Sequence, residues 1–257
     1  MLYHGEPYGP NLAVLAVLAE CGLDIPCRAI DLAGGERHRV AGLTAPLARD
    51  YGVEGEGPLL VIEGEAHQES VFIAQYLDET AGAGLQPSDA YARWQMMMWC
   101  RRITERCAPA VAYLACRAHA TPRLAAMADG DFETLLAPIV AEDLAQRWRD
   151  TRSDAFPDSA REDSRAKVAG AAVMVEEQLA DGRDWLMGPL SIADFETYGW
   201  LSGAVELMPE AFADKPLATA WVARMAGRDS VKAALARSAT GKPVEAWAPG
   251  PEINRWG

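Results

Sequence analysis

The pair Glu69-Ser70 stands where a helix begins, eleven residues beyond the proline of the run Pro58-Leu59-Leu60-Val61-Ile62. A helix N-terminus presents unpaired N–H groups that suit a carboxylate; Ser70 adds a hydroxyl donor, and Glu69 can meet an ammonium. Together they suit the zwitterionic end of an amino-acid-like molecule, although both are also ordinary helix starters. His38 and Arg39, in a polar loop ahead of the proline strand, offer positive charge to an anionic group or simply form a solvated loop. Further along, Trp99, Arg102, Arg106 and Tyr113 recur at helical spacings. On one helix face they would give rings to cover an aromatic substrate and guanidinium groups to stabilise developing negative charge; as core and surface residues they would do neither. Four histidines and five cysteines (Cys21, Cys27, Cys100, Cys107, Cys116) contain no CxxC pair and no ligand spacing, so no metal site is expected. An odd number of unpaired cysteines favours reduced, mostly buried thiols and a cytoplasmic location.

The elements that must carry these residues fall into two textures. Residues 2–4 read as a strand, and Gly5, Pro7, Gly9 and Pro10 break regular structure before a helix over 11–20 that is apolar nearly all round and therefore buried. A second strand is expected over 26–32. A long polar connection over 36–57 should carry a short helix near 45–50. A hairpin follows, 58–62 turning at Glu63-Gly64 into 65–67, and then an amphipathic helix over 69–80. Residues 1–80 thus read as an α/β domain and 81–88 as a linker. Beyond it period-two alternation ends: helices are expected over 89–119 with a kink at Pro109, then over 131–149, 160–180, 191–208, 216–226 and 230–238. Residues 89–240 form an all-α domain, and 241–257, with its prolines, glycines and two tryptophans, an extended tail.

The 257 residues suit one small and one larger domain. With 24 basic residues against 37 acidic and a net charge of −13, nucleic acid and anionic membranes are excluded as expected partners. Neither a secretory start nor an apolar stretch long enough to span a bilayer is evident.

Gly57-Pro58-Leu59-Leu60-Val61 followed by Glu69-Ser70 resembles the glutathione-binding half of the glutathione transferase family. Ser191-Ile192-Ala193-Asp194, after Trp185-Leu186-Met187-Gly188, resembles that family's buried capping box, in which the serine caps a core helix and the aspartate returns the hydrogen bond. Met98-Trp99-Cys100-Arg101, Arg147-Trp148-Arg149 and the segment 160–181 resemble the bacterial β-etherases that cleave lignin-derived aryl ethers. The resemblance implies a thioredoxin-like N-terminal domain, a helical C-terminal domain, glutathione as cofactor and a dimer, with itself or with a related chain. It implies that Pro58 is cis, that Gly57, Pro58 and Leu59 hold the cysteinyl part of glutathione, that Glu69 and Ser70 hold its γ-glutamyl end, and that His38 and Arg39 meet its glycyl carboxylate. The second, aromatic substrate would lie against Trp99, Arg102, Arg106 and Tyr113. The sulfur donor of the family lies between the first strand and first helix; here that role falls to Asn11, with Tyr8 as the alternative. In the β-etherase branch the glutathione thiolate attacks the carbon bearing the aryl ether, next to a ketone, and a phenolate departs. The sequence departs from the family at Gly57, where valine is usual, in the acidic stretch 51–56, and in lacking the serine of the first loop. Two other readings therefore stay open: a non-catalytic or half-active subunit of a heterodimer, and a glutathione-dependent disulfide reductase or peroxidase.

Overall fold

The computed structural model describes residues 1–39 and 57–250. A four-stranded sheet comes first: β1 (Leu2–His4), β2 (Cys27–Ala29), β3 (Leu59–Ile62) and β4 (Glu65–His67), in the order β2-β1-β3-β4. β1 and β2 run parallel, with Leu2 opposite Cys27; β1 with β3 and β3 with β4 are antiparallel, with Tyr3 opposite Leu59 and Val61 opposite Ala66. The β1–β2 crossover is α1 (Gly9–Glu20), buried along most of its length as its uniform apolarity requires. It begins two residues earlier than expected, with Pro10 in its first turn, where a missing N–H removes no helical bond. The second strand is shorter than its apolar pattern suggests, and the helix expected near 45–50 lies outside the described residues. α2 (Ser70–Ala81) follows the hairpin and ends at Gly82 in the left-handed region.

From residue 90 onward the described elements are all helical. α3 (Ala90–Arg102) continues through a π-type turn (Ile103–Cys107) into α4 (Ala108–Ala115), and through another (Cys116–Ala120) into α5 (Thr121–Ala125). The kink expected at Pro109 is instead accommodated by the first π turn, which puts the proline in the first turn of α4. The single helix expected over 131–149 is two, α6 (Asp129–Leu136) and α7 (Glu142–Ser153), interrupted near Pro138. α8 (Asp158–Gln178), α9 (Ile192–Leu207), α10 (Pro216–Ala226) and α11 (Asp229–Leu235) complete the helical half.

α9 is the axis of the molecule: twelve of its residues are buried, and it packs against α1, α2, α3 and α4. Its approach to α1 depends on Gly199, where a Cβ would lie 2.5 Å from the Gly9 carbonyl oxygen and 3.2 Å from Ala13 Cβ. The expected capping box forms. Asp194 Oδ2 accepts from the Ser191 N–H and hydroxyl, and Oδ1 from the Leu186 N–H and Trp221 indole, at 2.9 to 3.0 Å. One apolar core runs from Leu2 through α1 and α9 to α11; another joins Ile30, Leu32 and Leu59 of the sheet half to Phe132, Leu136 and Trp148.

Candidate active site

Asn11 is in the first turn of α1, 1% exposed, and its Oδ1 accepts the Gly5 N–H at 2.8 Å. A backbone N–H can only donate, so this bond fixes the amide orientation and leaves Nδ2 as the donor half. The residue faces Gly57, whose peptide with Pro58 is cis. A Cβ on Gly57 would come within 2.6 Å of Asn11 Oδ1. The glycine that departs from the family's valine is therefore matched to the asparagine: one makes room for the other.

Asn11, Gly57, Tyr8, Pro10, Leu32, Trp200, Trp247 and Ala248 line a narrow cleft. The chain beyond α11 crosses it. Trp247 packs against Tyr8, ring centroids 4.3 Å apart, and against Trp200 at 6.0 Å. The crossing is secured by main-chain bonds: Tyr8 Oη donates to Ala246 O, the Arg123 guanidinium to Trp247 O, the Cys116 thiol to Ala248 O and Arg147 to Gly250 O. Tyr8, the alternative sulfur donor, has its hydroxyl directed to this segment. The cleft retains about 10 Å³, room for roughly one water.

Glu69 precedes α2 with φ 68°, a left-handed backbone rare for a non-glycine residue, and its side chain is exposed. Ser70 is buried at the helix start and donates to Glu196 Oε1 at 3.0 Å. Trp200 Nε1 donates to the same oxygen at 2.9 Å, while Glu196 Oε2 is buried without a hydrogen-bond partner among the described residues. Burial pushes the Glu196 carboxyl up to about 7; the Trp200 and Ser70 bonds oppose the shift and the Glu69 charge adds to it. Glu196 thereby ties the start of α2 to the tryptophan of the cleft. The sequence signal for it was a second acid just past the capping Asp194 in a largely apolar helix, four residues before Trp200.

The remaining expected residues are more dispersed. His38 is half-buried, and burial, then Arg37 and Arg39, depress its pKa, so it is neutral and any positive charge there comes from the arginines. Arg39 is exposed and donates to Gly34 O at 2.6 Å. Leu59 belongs to the sheet and its side chain to the second core. Trp99 is in the core, with its indole donating to Thr197 Oγ1 at 2.9 Å. Tyr113 is buried edge-on to Phe156, its hydroxyl accepting from Arg117, whereas Arg102 and Arg106 are exposed. Those four do not share a face: Trp99 and Tyr113 point into the core, whereas Arg102, in the same helix as Trp99, and Arg106, in the π turn, are exposed. None of the five cysteines is in a disulfide; burial raises the Cys21 thiol to about 11 and Cys107 to about 12, and raises Cys27 and Cys100 too. Among the described residues no acid, histidine or cysteine cluster suits a metal, and no helix is long and apolar enough to cross a membrane.

The sheet order, the cis proline ahead of β3 and the capped central helix make this the glutathione transferase fold. Within that fold the chain resembles a β-etherase: it is 25% identical over 250 residues to Protein LigF of Sphingobium sp. (strain NBRC 103272 / SYK-6), covering 92% of this chain and 93% of the relative. The crystal structure of the β-etherase LigF from that strain matches with a TM-score of 0.81 at 23% identity, over 92% of this chain and 98% of the other. A glutathione transferase family member from Pseudomonas fluorescens Pf-5, solved with two glutathione molecules bound, matches at 0.66 and 18% identity over 91% of each chain. One from Burkholderia graminis, with two glutathione molecules per subunit, matches at 0.63 and 22% identity over 92% and 87%. No family model matches the sequence.

Proposed function

We propose that the chain is a glutathione-dependent transferase whose second substrate is an aryl ether ketone of the lignin-derived type. The observation that carries this reading is the Asn11 amide, oriented by Gly5 and fitted against Gly57 beside the cis proline, with its Nδ2 donor in the first turn of a buried helix. A hydrogen-bond donor and a helix N-terminus both favour sulfur as thiolate, so no general base is required. Ser70 and the α2 N-terminus suit a carboxylate and exposed Glu69 an ammonium, which fits the γ-glutamyl end of glutathione. Arg39 carries the charge proposed for the glycyl carboxylate. Glutathione supplies the nucleophile: its sulfur bonds to the carbon bearing the ether oxygen, and the C–O pair leaves as phenolate. The likeness to LigF supports the ether as the bond broken. Purified protein should release one phenol per glutathione thioether from a β-aryl ether ketone; turnover of an activated aryl halide without phenol release from the ketone would reduce the reading to a general transferase.

The segment crossing the cleft favours a second reading, a half-active subunit in a heterodimer, because Trp247 and Ala248 take up space beside Asn11. Glutathione binding by the isolated chain separates the two. The raised thiols lend nothing to a reductase that uses its own cysteines. A dimer is part of the proposal: Phe72 and Tyr76 on α2 and the stacked Tyr91 and Trp94 on α3 are large exposed apolar side chains on consecutive helices. Light scattering should return twice the chain mass, and Phe72→Glu with Trp94→Glu should halve it. We extend the proposal to the division at 81–88 between a glutathione-binding and a substrate domain, and to a cytoplasmic site of action, which five cysteines without a disulfide favour.

A further inference from the structure

Ser70 has one hydroxyl proton, and in this structure it goes to Glu196. A serine donating inward cannot donate the same proton to a ligand carboxylate, and an ionised Glu196 behind it would repel that carboxylate as well. A neutral Glu196 reverses both effects: its own proton can serve Ser70 Oγ, the serine hydroxyl turns outward, and the repulsion vanishes. We propose that Glu196 is the positioning residue for carboxylate recognition at Ser70, the site accepting an amino-acid carboxylate with Glu196 neutral and losing affinity for it with Glu196 ionised. The inference rests on the reading that Ser70 holds the γ-glutamyl carboxylate of glutathione.

The surroundings of Glu196 favour such a coupling. It is 1% exposed and, among the described residues, Oε2 is buried without a hydrogen-bond partner, so ionisation leaves that oxygen without compensation from them. From α2 it faces Ser70 and the negative charge of Glu69; on its own helix it meets Trp200; from α3 comes Cys100, whose thiol is raised by burial, then by Glu196 and Asp194. Among the described residues no cation contributes to its titration. A shift of the carboxyl up to about 7 puts the change within ordinary working pH. A ligand carboxylate entering at higher pH then brings one proton with it from solvent to Glu196.

The test is calorimetry with S-methylglutathione, which has no titrating thiol, in buffers of different ionisation enthalpy. For the unmodified protein, affinity should fall about tenfold between about pH 6 and about pH 8, with close to one proton taken up at the higher pH. Glu196→Gln should bind with nearly equal affinity at both and take up no proton, while Ser70→Ala should bind weakly at both. Binding by the unmodified protein that is independent of pH and takes up no proton would overturn the role of Glu196 alone. No binding by either protein at any pH would overturn the reading of Ser70 and this inference with it. A poorly folding Glu196→Gln leaves the proton uptake of the unmodified protein as the deciding measurement.

Discussion

At the scale of single residues, the proposed site rests on two polar side chains held where solvent does not compete. Asn11 is anchored through Oδ1, so Asn11→Ala removes the donor while the cleft walls remain; thiolate formation by bound glutathione, read by ultraviolet absorbance, should shift to higher pH and kcat fall about 100-fold. An unchanged thiolate titration would move the role to Tyr8. Glu196 makes a stability prediction of its own. Its folded-state pKa lies above the ordinary 4.5, so its contribution is full below that value and is lost as pH rises through about 7. Glu196→Gln escapes the loss. Its thermal stability should gain on the unmodified protein between about pH 5 and about pH 8, approaching roughly 3 kcal/mol at about 1.4 kcal/mol per pKa unit. A constant difference in Tm across that range would mean that Glu196 ionises freely.

At the scale of elements, α9 connects stability to the proposed function, because the helix that presents Glu196 and Trp200 starts at the Ser191–Asp194 box. Asp194 is fully buried and accepts four hydrogen bonds, two of them from outside the box. Asp194→Ala would orphan the Leu186 and Ser191 N–H groups and the Trp221 indole. A cost above about 3 kcal/mol is expected, more than a lost cap alone, and urea denaturation measures it. The box was legible in sequence because its partners lie three residues apart. The bond from Ser70 to Glu196 spans 126 residues, and no local pattern announces it. Likewise the spacing of Trp99, Arg102, Arg106 and Tyr113 predicts a shared face only while the helix keeps 3.6 residues per turn. The π turn over 103–107 breaks that assumption between Arg102 and Tyr113, while Trp99 and Arg102, both in α3, fall on its buried and exposed sides.

At the scale of the whole molecule, the segment after α11 returns to the sheet half and joins Tyr8, Trp200 and the cleft to Arg123, Cys116 and Arg147. Trp247→Ala should lower stability by roughly 3 kcal/mol, since a buried indole is lost, and raise kcat/KM for bulky aryl electrophiles relative to small ones. An equal change for both sizes would limit this segment to a structural role.

The sequence by itself determined the order of the four strands and the two helices among them, the buried character of α1, the cap of α9 and the pairing of a proline strand with Glu69-Ser70. Each of these stems from local steric and hydrogen-bonding preferences or from an apolar run with only an interior to occupy. Only the tertiary structure decided that Gly57 makes room for Asn11, that Glu196 stands behind Ser70, that Trp99 and Tyr113 belong to the core and that Trp247 crosses the cleft. These relations join residues far apart in the chain, and the close packing of α1, α9 and the segment beyond α11 leaves each side chain one place to go.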